Sequence, residues 1–123
     1  MPDVNALKCF DNPCSHRDYV IEHVAEEFTS VCPKTGHPDF GQVILRYCPD
    51  ERGVELKSLK LYYQSYRNEG IFYEAVTNRI RDDLTTLMAP RWLVVTTDWR
   101  GRGGIRSRIT ATHGDVPASA LYA

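Results

Sequence analysis

Two helical stripes lie back to back in the middle of this 123-residue chain, and strand-forming runs occur only before and after them. Leu56, Leu59, Tyr63 and Tyr66 fall at i, i+3, i+7 and i+10, which is one face of a helix. Phe72, Val76, Ile80, Leu84 and Leu87 make a second face, which must end before Pro90. Upstream, apolar and polar residues partly alternate from Tyr19 to Val24, and the run from Val43 to Cys48 is rich in strand formers and stopped by Pro49. Downstream, Trp92 to Trp99 reads as a strand, and Gly101, Gly103 and Gly104 supply a turn. In a final strand Ile105, Ser107, Ile109 and Ala111 alternate with Arg106, Arg108, Thr110 and Thr112. The order is ββααββ. With no strand between the helices a doubly wound parallel sheet is excluded, and the chain is predicted to be α+β, an antiparallel sheet of two hairpins with two helices on one face.

The remaining segments are read from punctuation. Residues 1–18 carry Pro2 and Pro13 without a clear period and form an N-terminal arm. Residues 19–114 make the single domain, and 115–123, small and polar, form a flexible tail. Thr29 to Gly41, with Pro33, Gly36, Pro38 and Gly41, is expected to be a long ordered loop. This length excludes a dinucleotide-binding domain beside a separate substrate domain, each of which needs roughly 100 residues or more. No apolar run reaches the ~20 residues that span a bilayer, and the start lacks the layout of a signal peptide, so a cytoplasmic, membrane-free protein is expected. Fifteen Lys and Arg against 16 Asp and Glu leave a net charge of −1. That balance argues against direct nucleic-acid binding as the main function. Cys9, Cys14, Cys32 and Cys48 contain no C-x-x-C, and no His pair has metal-ligand spacing, so neither a structural nor a catalytic metal is expected.

Chemistry concentrates in three places. In Phe28-Thr29-Ser30-Val31-Cys32-Pro33-Lys34-Thr35-Gly36-His37-Pro38-Asp39-Phe40, a thiol sits beside Lys34 in a turn-rich loop, with Asp39 seven residues on. Such a pair serves covalent chemistry, the thiolate attacking and the carboxyl moving the proton; equally, Cys32 could be a small core residue and Asp39 a turn former. Lys57 and Lys60 share one side of the first helix, where they could hold a phosphate or simply face solvent. Four arginines, at positions 100, 102, 106 and 108, line a glycine-rich hairpin and suit either bidentate phosphate contacts or an edge-strand charge pattern. Glu74 lies where a helix dipole favours an anion; a buried carboxylate there could also pair with a purine-like edge.

Together, F-T-S-V-C-P-K-T-G-H-P-D-F, E-L-K-S-L-K-L-Y, S-Y-R-N-E-G-I-F-Y-E and R-G-R-G-G-I closely resemble the short, single-module NADPH-dependent 7-cyano-7-deazaguanine reductases. These are the nitrile reductases of queuosine biosynthesis, a tRNA-modification pathway. The resemblance spans about Asp18 to Gly114 and implies the tunnelling fold, whose sheets join into a barrel by oligomerisation. It implies Cys32 as the nucleophile that forms a covalent thioimide with the nitrile, and Asp39 as the proton donor. Val54, Glu55, Leu56, Ser65, Tyr73 and Glu74 fall in the substrate-contacting segments, and Lys57, Lys60 and Arg102 where the family grips NADPH. A decamer of two stacked pentamers with shared sites is implied as well. The family commonly has His before its substrate-binding Glu, whereas this chain has Tyr73, a phenol that can stack or donate a hydrogen bond. The alternatives are a related nitrile amidinotransferase acting on tRNA, for which NADPH would be superfluous, and a non-catalytic purine-binding module, which would have no use for the Cys32 and Asp39 pair.

Overall fold

The computed structural model describes residues 2–121. Among the described residues the chain forms strands β1 (Cys9–Asp11), β2 (Ile21–Val31), β3 (Pro38–Cys48), β4 (Arg52–Val54), β5 (Trp92–Arg102) and β6 (Ile105–Gly114). Helices are α1 (Leu56–Gln64), α2 (Tyr73–Met88) and α3 (Ala118–Leu121), with a single 3-10 turn at Val4–Ala6. The long strands build one antiparallel sheet in the order β2-β3-β5-β6, and β1 and β4 pair separately. The four long strands and α1 and α2 reproduce the ββααββ order of the sequence pattern.

The core lies between one face of the sheet and the helices. Val43, Leu45 and Tyr47 of β3 and Leu93 and Val95 of β5 point towards Leu59, Tyr62 and Tyr63 of α1 and Val76, Ile80 and Leu84 of α2. Because side chains alternate along a strand, Cys48, Trp92 and Val94 emerge on the opposite face, where Ala120 of α3 covers them. Cys48 is thus a core residue of that second cluster, as its strand position predicts.

The structure revises three expectations. The loop Thr29–Gly41 shrinks to a turn of residues 32–37, since β2 runs to Val31 and β3 starts at Pro38. Pro38 is tolerated because it is the first residue of its strand. Gly41 belongs inside β3, because a Cβ there would stand 2.7 Å from the Asp98 carbonyl and 3.0 Å from the Trp99 ring. The arm is not without structure. Cys9 to Asp11 pair in register with Val54 to Arg52, Lys8 exchanges bonds with Glu55 and Ser58, and the Asn12 side chain donates to the Asp50 carbonyl at 2.7 Å. The tail expected to be flexible from 115 instead forms α3, because Val116, Ala120 and Leu121 have an apolar corner of the sheet to cover; residues 122–123 lie outside the described residues.

Two bulges shape the sheet. In β2 the register with β3 slips between Ala25 and Phe28, leaving Glu26 and Glu27 side by side and exposed on an edge strand. In β5 the register with β6 slips between Trp99 and Arg102. The hairpin then closes through Gly103 and Gly104 at φ +56° and +79°, the left-handed pair that matches strand twist in a two-residue turn. Below that turn Asp98, buried in β5, holds Arg106 at 2.9 Å and Arg108 at 3.0 Å across the hairpin, which keeps its carboxyl below the usual range.

Candidate functional site

The β2–β3 turn presents the thiol. The Cys32 N–H donates to the His37 carbonyl at 2.8 Å and the Gly36 N–H to the Cys32 carbonyl at 2.8 Å, with Gly36 at φ +74° completing the turn. The sulfur accepts from the Thr35 hydroxyl, from the Thr35 and Lys34 backbone N–H groups and from Arg102, and its pKa is lowered to about 7. Lys34 contributes its backbone and not, as its charge suggests, its ammonium. The link between α1 and α2 is zipped alongside: Val31 N–H donates to Glu69 at 2.8 Å and Ile71 N–H to Val31 at 3.1 Å. This brings the start of α2 to the thiol.

Asp39 sits opposite Ser30 in the β2–β3 ladder and is buried. On β3 it shares the inward face with Val43, Leu45 and Tyr47. The β5 bulge shifts the alternation by one, so that Arg102 turns to that same face and meets Asp39 Oδ1 at 2.7 Å. The Tyr73 hydroxyl donates to the same Oδ1 at 3.2 Å. Burial and the neighbouring Asp39 raise the phenol above its ordinary pKa, so it stays protonated and acts as donor.

Tyr73 is held from two sides. Its ring stacks on Trp99, centroids 4.1 Å apart and planes 10° from parallel. Behind it runs a buried chain: Trp99 Nε1–H donates to Thr97 at 2.8 Å, Thr97 and Thr77 hydroxyls meet at 2.7 Å, and Thr77 donates to the Tyr73 carbonyl at 2.8 Å. Since Thr77 spends its one proton on that carbonyl, Thr97 must donate to Thr77, so the order of the chain is fixed. Thr97 and Thr77 have no exposed surface.

Cys32, Asp39, Tyr73, Glu74 and Arg102 therefore line one open cavity of about 290 Å³, with Phe72 and Ile105 as its exposed apolar rim. Glu74 lies in the first turn of α2 and is exposed within a single chain, not buried. The other anticipated residues fall elsewhere. Leu56 and Lys60 line a separate groove of about 510 Å³ between α1 and β2, which shares no residue with the Cys32 cavity. Lys57 is exposed on α1, Val54 is buried in β4, and Glu55 caps α1, its carboxylate accepting from Ser58 N–H at 2.6 Å. Ser65 ends α1, donating to the Tyr62 carbonyl and accepting from Asp3 N–H. Thr35, Thr77, Thr97 and Trp99 were not anticipated. A polar residue at the inward position between Val95 and Trp99 was the one available signal for Thr97. No group of His, Cys, Asp and Glu among the described residues could hold a metal ion.

Comparison with known proteins bears on the family and the fold. A family model described as QueF-like protein matches residues 38–118. A protein of Pelodictyon phaeoclathratiforme named NADPH-dependent 7-cyano-7-deazaguanine reductase is 58% identical over 87% of this chain and 92% of its own length. Proteins of the same name from Anaeromyxobacter sp. (strain K) and Rhodopirellula baltica are 57% and 53% identical over 91% and 90% of this chain, and over 92% of their own lengths. A crystal structure titled archaeosine synthase QueF-Like in the apo form superposes with a TM-score of 0.70 at 22% identity, covering 81% of this chain and 96% of that one, which shows the tunnelling fold. This chain therefore belongs to the QueF-like protein family, in which these bacterial relatives are named NADPH-dependent 7-cyano-7-deazaguanine reductases.

Proposed function

We propose that the chain reduces the nitrile of 7-cyano-7-deazaguanine to the aminomethyl group at the expense of two NADPH, a step of queuosine biosynthesis. The observation that carries this reading is the convergence of an acidified thiol, Cys32, and a buried carboxylate, Asp39, on one small cavity, in a chain whose relatives are named for that reaction.

The residues act in a simple order. Cys32 sulfur adds to the nitrile carbon, a moderately electrophilic centre, forming a C–S bond. Asp39 receives the thiol proton and passes it to the nitrile nitrogen, so the product of the step is a neutral thioimide. The chemistry that NADPH supplies when bound is hydride, needed twice to take the carbon to the amine oxidation level and release Cys32. Glu74 is assigned to the purine-like edge of the substrate, with Tyr73, Val54, Glu55, Leu56 and Ser65 in the contacting segments.

Lys57 and Lys60 suit the NADPH phosphates: both are exposed, and among the described residues neither has a carboxylate partner. Arg102 could reach the same ligand only by sharing its donors with Asp39. Because the lysine groove and the Cys32 cavity are separate concavities, we infer that complete sites form between subunits of a homo-oligomer, with a decamer of two pentamers as the expected assembly and joined sheets closing a barrel. We place the enzyme in the cytoplasm, a reducing compartment that keeps the nucleophile a thiol; all four cysteines are free. Among the described residues no helix is long and apolar enough to cross a membrane.

Mixing the protein with 7-cyano-7-deazaguanine is expected to give a thioimide absorbance in the near ultraviolet that Cys32→Ala abolishes, followed by oxidation of two NADPH per substrate. A thioimide with no NADPH oxidation would overturn the reductase reading and favour amidine formation or simple binding.

A further inference from the structure

Asp39 has two oxygens, and the chain treats them differently. The Arg102 guanidinium and the Tyr73 hydroxyl both reach Oδ1, at 2.7 and 3.2 Å. Among the described residues no hydrogen bond is made to Oδ2. We infer that Tyr73 is a positioning residue for proton transfer, which with Arg102 fixes one oxygen of Asp39 and leaves the other to exchange a proton with Cys32 and the substrate; this rests on the nitrile chemistry proposed above.

The geometry gives the hydroxyl that task. Trp99 stacked on one face of the Tyr73 ring at 4.1 Å fixes its plane, and the hydroxyl at its end is aimed at Asp39. The Tyr73 backbone carbonyl is tied by Thr77 to the Thr97 and Trp99 chain, so neither the ring plane nor the start of α2 is free to shift. What remains adjustable is the O–H, and its acceptor is Asp39. A carboxylate held at one oxygen by a cation and a neutral donor keeps a fixed plane, which directs the lone pairs of the other oxygen. The proton inventory closes: Cys32 gives up one proton, Asp39 carries it, the nitrile nitrogen keeps it, and Tyr73 and Arg102 end the step protonated as they began.

The test is the rate of thioimide formation without NADPH, measured by rapid mixing across substrate concentrations. Tyr73→Phe keeps the ring and its stack on Trp99 and deletes only the donor. It should lower the saturating rate about tenfold, the scale of one hydrogen bond to a charged group, with the half-saturating concentration within about twofold of wild type. Arg102→Gln removes the cation from Oδ1 together with a donor to the Cys32 sulfur, and should slow the same step at least as much. An unchanged saturating rate in Tyr73→Phe, or a loss confined to the half-saturating concentration, would overturn the inference while leaving the reductase reading intact. Absence of a thioimide in the wild-type protein would instead remove the reading on which it rests.

Discussion

The acidity of Cys32 comes mainly from its own turn, with one further donor from β5. The donors to its sulfur come from Thr35, the Thr35 and Lys34 amides, and Arg102. Alkylation of Cys32 by iodoacetamide should therefore rise with pH to half its limiting rate at about 7, against about 8.5 for an ordinary thiol. Thr35→Val removes the first donor, destabilises the thiolate and should move that midpoint upward; mass mapping at neutral pH should find Cys32 modified well ahead of Cys9, whose thiol burial pushes up, and of buried Cys48. That Cys32 and Asp39 come to one cavity was legible because seven residues across a tight turn bring a strand end back on itself. The donors were not, since backbone amides carry no residue-type signal. Neither was the Tyr73 stack, which joins residues 26 positions apart through a glycine at 41.

Helix ends were read more accurately than strand ends, and for a physical reason. Pro90 forbids continuation of α2, and the helix stops at Ala89, which takes up the left-handed conformation at φ +46° with its N–H on the Thr85 carbonyl. A Cβ is unfavourable there. Ala89→Gly should raise stability by about 0.5–1 kcal/mol in denaturant melts, with thioimide formation unchanged. Strand ends depend on partners distant in sequence. Pro38 and Gly41 look like loop residues until β5 is present to explain them, and the register slip that aims Arg102 has no counterpart in composition. The stripes were visible as periodicity in Leu59 and Tyr63 of α1 and Val76, Ile80 and Leu84 of α2. Leu56 and Phe72, at the two helix starts, are however exposed, and Tyr66 is buried just beyond the end of α1. The arm strand β1 was not visible, because three residues are too few to show a period.

At the scale of the whole molecule, one chain exposes Val20, Val24 and Phe40 around β2 and β3 and Phe72 and Ile105 around the cavity. With the two candidate half-sites in separate concavities, the active species is expected to be larger than the 14.1 kDa chain. Light scattering coupled to size exclusion, with NADPH-dependent activity assayed across the peak, should find activity only in the assembled fraction, and dilution should lower specific activity. A monomer of full activity would show that one chain holds a whole site. The ββααββ order made uncovered edges predictable from sequence, but not how those edges are managed. The bulge in β2 bears on that. It sets Glu26 and Glu27 next to each other where a flat edge would offer an unbroken ladder of free amides and carbonyls, and it bends the strand away from straight growth. An edge that is curved and carries two like charges at one point disfavours unselective pairing with another strand. The same irregularity withholds the straight, unbroken ladder on which a fibril would extend.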